Sequence, residues 1–214
     1  MPEIIPSILA KDAFEFAEKV RKVEGATATI QVDCMNGSFV PEKCFFDAET
    51  VKTIITPVRY DLHLMVSNPK TVIKTWKKVP TFFRATFHAE IGGNLHKLAE
   101  WISEQGIEPA VAISPETSID DLIDLFPHLK AALIMGVHPG KSGQKMLPGT
   151  LDRIRRVKEL APYLKVGLDG GINLKNLLEL KEAGLDLFVC TSSIYRSKNP
   201  KAVITKFKQT LKIS

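Results

Sequence analysis

IQVDCMNGSFVP, residues 30–41, decides how the rest of the chain is read. A short apolar run carries Gln31, Asp33 and Met35 at alternate positions, then breaks at Asn36-Gly37 and Pro41. In an extended strand alternate residues share one face, so an amide, a carboxylate and a thioether line up, with Val32 and Cys34 behind them. A strand that turns its acid inward just where it stops hands that side chain to something beyond its end.

Working outward, apolar β-branched runs of this kind recur along the chain: EIIPSIL, TATIQVD, RYDLHLMV, TFFRATFH, EPAVAIS, AALIMGV, LKVGLDG and LDLFVCTS. Amphipathic stretches follow them and predict helices over residues 13–23, 48–55, 70–78, 94–105, 119–126, 149–160, 174–182 and 200–211. SPETSIDDL reads as a capped helix entry, and Gly106 and Gly184 stand at helix stops. Strand then helix, repeated throughout, predicts an α/β protein of the closed parallel (β/α)8 barrel kind, a TIM barrel, as a single domain over residues 1–214. A doubly wound sheet is the alternative, but no GxGxxG follows the first strand.

Composition restricts the function classes. The net charge is +5, but Lys and Arg are scattered among apolar residues at helical spacing, as in VIKTWKKV and LDRIRRVKEL. That is a solvated helix face rather than a nucleic-acid footprint, and a mild positive field suits a small anionic substrate. No apolar run approaches the roughly 20 residues that span a bilayer, so no membrane partner is expected. MPEIIPSILA has neither a basic start nor a long apolar core, and three cysteines lack CxxC spacing. A reduced, cytoplasmic protein without a secretory leader is the expectation.

In such barrels the chemistry sits at the carboxyl ends of the strands. Those ends carry Ser7, Asp33, His63, His88 with Glu90, Ser114, His138, Asp169 and Thr191-Ser192. Asp33 and Asp169, on separate strands, can remove a proton from one face of a carbon and return one to the other, which inverts a centre beside a carbonyl. His63 can join both aspartates around a divalent metal that stabilises an enediolate oxygen. Taken alone, Asp33 also reads as a turn aspartate and His63 as a satisfied core histidine; their joint position at strand ends favours the site. HPGKSGQ, DGGI and TSS form a second group. Gly140, Gly143, Gly170 and Gly171 allow close backbone approach, and consecutive N–H groups there can cradle a phosphate. Lys141 is either a phosphate contact or an exposed loop lysine. Met35, Met65 and Met135 end three strands, as core fillers or as an apolar floor that keeps water from an enediolate. His88 and Glu90 read as supporting or loop residues.

PSILAKD, VDCMNGSFVP, DLHLMV, SPET, MGVHPGKSGQ, LDGGI and VCTSSIYRS, in this order over nearly the whole chain, resemble the ribulose-phosphate 3-epimerases. The resemblance implies a homo-oligomeric TIM barrel of the pentose phosphate pathway that interconverts ribulose 5-phosphate and xylulose 5-phosphate by proton transfer at C3. It implies Asp33 and Asp169 as the acid/base pair, and, with His63, as three of four metal ligands. It implies substrate contacts at Ser7, His63, Gly140, Lys141, Ser142, Gly143, Asp169, Gly170, Gly171, Thr191 and Ser192, with the three methionines over the site.

The chain departs from that pattern. Gln31 stands where the family has the remaining metal-ligating histidine, Asn36 replaces an aspartate, Thr191 a glycine, and Lys141-Ser142 a Phe-Gly pair. With Gln31 as a weak fourth ligand, a divalent ion (zinc, manganese or iron) is expected to be loosely held. The reading is a 3-epimerase of a small phosphorylated ketose. Two alternatives stand beside it: an epimerase for a six-carbon ketose phosphate such as allulose 6-phosphate, and a sugar-phosphate-binding relative without catalysis.

Overall fold

A computed structural model describes residues 1–140 and 143–212. Eight strands close in chain order into a parallel barrel: β1 (Glu3–Ile8), β2 (Thr29–Met35), β3 (Arg59–Met65), β4 (Phe82–His88), β5 (Glu108–Ile113), β6 (Ala131–Met135), β7 (Lys165–Asp169) and β8 (Leu187–Cys190). The (β/α)8 expectation is met. The helices are α1 (Ala13–Val23), α2 (Ala48–Val51), α3 (Pro69–Trp76), α4 (Leu95–Glu104), α5 (Thr150–Leu160), α6 (Leu177–Glu182), α7 (Ser192–Tyr195) and α8 (Pro200–Leu211).

Local chemistry sets several helix starts. Asp12, Asn94 and Asn199 each accept a hydrogen bond from the backbone N–H three residues on, at the entries of α1, α4 and α8. Such a cap contributes about 1 kcal/mol. Pro69 and Pro200 open α3 and α8, where a missing N–H costs nothing.

Three expected helices differ in the structure. Residues 119–126 do not form a capped α-helix; Asp120–His128 is a 3-10 run without a side-chain cap. Pro127 lies inside it and can neither donate to nor fit an α-helical turn. Within the expected capped entry, Thr117 turns its hydroxyl to Glu90. The helix expected over 48–55 stops after one turn, as Thr53 N bonds to Thr50 O and the β-branched run 53–56 leads into Pro57. α6 starts late because Asn173 and Asn176 tie their side chains into the loop after β7.

Parallel pairing places Ser7 beside Gln31 and aligns Asp33, His63 and Thr86 across β2, β3 and β4. Val32 and Cys34 pack outward in the main core with Phe16, Leu62 and Trp76. Gln31 and Asp33 face the barrel axis, as the alternation required. The barrel interior is divided. Ile5, Ala110, Ala112, Ala131, Leu133, Met135, Leu187 and Val189 form an apolar cluster from β1, β5, β6 and β8. β2, β3 and β4 supply buried Gln31, Asp33, Asp61, His63, Arg84, Thr86 and His88. Deeper in the barrel, Arg84 Nη1 lies 3.2 Å from Asp61, while its Nη2 lies 3.1 Å from Glu108. Thr86 Oγ1 donates to Asp61 at 3.1 Å. Burial alone would push the Asp61 carboxyl up strongly; Arg84 and Thr86 offset part of that.

Candidate active site

The strand register gathers Asp33, His63 and Asp169 at the carboxyl end of the barrel. His63 Nδ1 lies 3.3 Å from Asp33 Oδ1 and 3.4 Å from Asp169 Oδ2. The His63 ring is buried, which works against its charged form, but hydrogen bonding to Asp169 and Asp33 and their charges raise it to about 9. Cys44 Sγ donates to the Asp33 carbonyl at 2.9 Å and holds the strand end against the following loop.

Gln31 completes the group. Its Nε2 lies 3.0 Å from Asp33 Oδ1, 2.8 Å from Asp169 Oδ2, 3.3 Å from Ser7 Oγ and 3.5 Å from His63 Nδ1. An amide nitrogen has two hydrogens, and the two carboxylate oxygens are its nearest and strongest acceptors. Among the described residues, the second oxygen of each carboxylate makes no hydrogen bond. Both carboxylates line the same cavity.

Asp33, His63 and Asp169 each offer one ligand atom, all within 4.8 Å of one another, and so form a group able to hold a metal ion. The spacing suits bonds of about 2.0–2.2 Å. The fourth corner does not suit an ion. Gln31, expected to offer its amide oxygen, offers Nε2, a donor already directed at both carboxylates. As the side chains stand, the set does not fit a four-ligand metal centre.

Behind His63 runs a chain that the sequence reading left open. His63 Nε2 is 2.9 Å from His88 Nε2, and the two rings stack with centroids 5.0 Å apart. His88 Nδ1 is 3.1 Å from Glu90 Oε2, while Glu90 Oε1 accepts from Ser114 N. Burial keeps His88 neutral, lowering it to about 4, and hydrogen bonds hold Glu90 at about 2 despite partial burial. Since carboxylate Glu90 must accept, His88 donates from Nδ1 and accepts at Nε2. His63 then donates from Nε2 and turns Nδ1 to the aspartates. FHAE, residues 87–90, was the available signal.

The cavity above the carboxylates is lined by Met35, Met65 and Met135 together with Leu9, Val137 and Thr191. Gly140 is also on its wall. A second cavity, sharing Asp169 and Thr191, is lined by Gly143, Gly170, Gly171 and Ser192. Gly170 and Gly171 have φ of 104° and 76°. Their small size serves packing as well: a Cβ would fall 2.5 Å from Val137 at Gly170 and 2.4 Å from Met146 Cβ at Gly171. Lys141 and Ser142 lie outside the described residues. Asn36 is exposed; its Oδ1 accepts from Ser38 in the loop after β2, away from the carboxylates.

The mouth offers acids and bases above an apolar floor, a setting for moving protons on a small molecule, and the chain is a (β/α)8-barrel isomerase acting on carbohydrates. Residues 3–195 match the model of the Ribulose-phosphate 3 epimerase family, and the chain belongs to that family. It is 32% identical to the ribulose-phosphate 3-epimerase of Mycobacterium tuberculosis (strain ATCC 25618 / H37Rv) over 214 residues, covering 97% of this chain and 92% of that protein. Identity to the Bacillus subtilis (strain 168) ribulose-phosphate 3-epimerase is 31% over 216 residues, with 97% and 99% covered. The barrel also superposes on 3-keto-L-gulonate-6-phosphate decarboxylase from Vibrio cholerae O1 at a TM-score of 0.78 and 11% identity, with 99% of this chain and 97% of that one covered. At that identity the likeness concerns the fold.

Proposed function

We propose that this chain epimerises ribulose 5-phosphate and xylulose 5-phosphate at C3, with Asp33 and Asp169 as the two catalytic residues. The observation that carries the reading is the division within each carboxylate: one oxygen is engaged by Gln31 and His63, the other makes no hydrogen bond among the described residues, and both aspartates line one cavity. In each direction one aspartate, ionised, takes the C3 proton and leaves an enediolate. The other, protonated on its free oxygen, delivers a proton to the opposite face, so the pair ends with its roles exchanged. His63, fixed in orientation by His88 and Glu90, keeps a donor beside both acids. Met35, Met65 and Met135 exclude water that would protonate the intermediate at random. The phosphate is assigned to the recess of Gly143, Gly170, Gly171 and Ser192, with Ser7 supporting Gln31 rather than facing substrate. The loosely held zinc, manganese or iron expected from the resemblance would have three donors among the described residues, Asp33, His63 and Asp169, with Gln31 presenting Nε2 beside them, and no step is routed through it.

Conversion of ribulose 5-phosphate followed by proton NMR in D2O tests the reading. Xylulose 5-phosphate carrying deuterium at C3 is expected. Absence of both conversion and exchange, with intact binding, would favour the non-catalytic alternative. Turnover confined to allulose 6-phosphate would move the assignment to a six-carbon substrate.

A further inference from the structure

We propose that Gln31 is the positioning residue that takes over the task of a metal centre in this chain: its carboxamide ties Asp33 to Asp169 by hydrogen bonds, and turnover needs no divalent ion. This rests on the reading of those two aspartates as the acid/base pair.

The amide cannot be turned over at will. Rotated, its carbonyl oxygen would face carboxylate oxygens at about the 2.8 and 3.0 Å now spanned by N–H donors, with no proton between them. An entering cation, or a proton on one of the facing oxygens, would relieve that repulsion. The cation would have to break two charge-assisted hydrogen bonds and would gain a neutral amide oxygen where imidazole would serve a transition metal better. Gln31 is also confined. It is 1% exposed, set beside Ser7 in the strand register, and its Nε2 has Ser7 Oγ and His63 Nδ1 as further close neighbours.

What the amide does follows from its two hydrogens. One goes to Asp33 Oδ1 and one to Asp169 Oδ2, so both acids are held to one rigid group at a fixed span. A bridging cation would do the same, but it would also compete for the oxygens that move protons. The amide engages one oxygen per carboxylate and leaves the other for chemistry.

The test uses the full-length protein purified without chelator from medium supplemented with zinc and manganese. Metal content by plasma mass spectrometry should be below about a tenth of an equivalent, because Gln31 Nε2 already donates to the carboxylate oxygens that an ion would have to take. The melting temperature should not move when either ion is added, and turnover of ribulose 5-phosphate should survive EDTA. Gln31→His should purify with close to one metal per chain; Gln31→Glu serves the same purpose if the imidazole does not fit. Gln31→Met keeps the length and loses the donors, so kcat should fall about 10–100-fold, the range for lost supporting partners, with KM nearly constant. A wild-type protein that carries a full equivalent of metal, or that EDTA silences and metal restores, overturns the proposal. Unchanged kcat in Gln31→Met overturns it as well. Should the wild type be inert on every ketose phosphate yet remain metal-free, with Gln31→His gaining metal, the functional reading fails while the assignment of Gln31 to the fourth corner stands.

Discussion

Replacing Asp169 by Asn, and separately Asp33 by Asn, probes the two-base reading more sharply than loss of activity alone. Asn keeps a side-chain oxygen able to accept from Gln31 Nε2, where Asp169 Oδ2 now accepts at 2.8 Å, so the bridge and the barrel survive. What disappears is the basicity of a carboxylate that lines the cavity. A positioned general acid or base contributes roughly 10²–10⁴ in rate, so epimerisation should fall by that factor, about 3–5 kcal/mol on the barrier. The remaining aspartate still faces its own side of the substrate. It can remove the C3 proton, exchange it with solvent and return it to the same face. Each variant should therefore wash deuterium into C3 of one epimer without making the other, and the two variants should act on opposite epimers. Proton NMR of ribulose 5-phosphate and xylulose 5-phosphate in D2O, run with each variant, reads both quantities. Conversion within tenfold of wild type by either variant, or exchange of the same epimer by both, would refute the assignment of one acid to each face.

Three further outcomes are expected. Arg84→Met should lower the unfolding free energy by about 3–5 kcal/mol in urea titrations, since it leaves buried Asp61 with Thr86 alone; Asp61→Asn in the same chain should recover part of the loss. His63 is raised from 6.5 to about 9 in the folded chain, so its contribution to stability is fully present below about pH 6.5 and is lost as pH rises through about 9. The loss is on the order of 3 kcal/mol, read as the difference between urea midpoints of wild type and His63→Gln across that window; parallel curves would contradict it. Inorganic phosphate should compete with substrate, and ribulose itself should turn over poorly; equal turnover of the free ketose would remove the glycine recess from the site.

How much of this was legible in the sequence depends on how far each feature reaches along the chain. The alternation of Gln31, Asp33 and Met35 against Val32 and Cys34 is a local consequence of strand geometry, and it held in three dimensions. That Asp33, His63 and Asp169 meet also followed, because a closed barrel brings all strand ends to one rim. The amphipathic pattern over 119–126 predicts an α-helix, but the structure has a 3-10 run over Asp120–His128 that contains Pro127. Gly170 and Gly171 were read toward a ligand; their contacts with Val137 and Met146 belong to a loop more than twenty residues earlier and leave no trace in spacing. Gln31 is the instructive case. Its position on the inner face was a matter of parity, but its chemistry was not, since one carboxamide is both donor and acceptor. Which end turns inward depends on what stands opposite. Here that is Asp33 from the same strand and Asp169 from β7, and both present carboxylate oxygens that accept from the nitrogen. A substitution that reads along the chain as a weakened ligand thus becomes, across the barrel, a hydrogen-bonded bridge between the two acids.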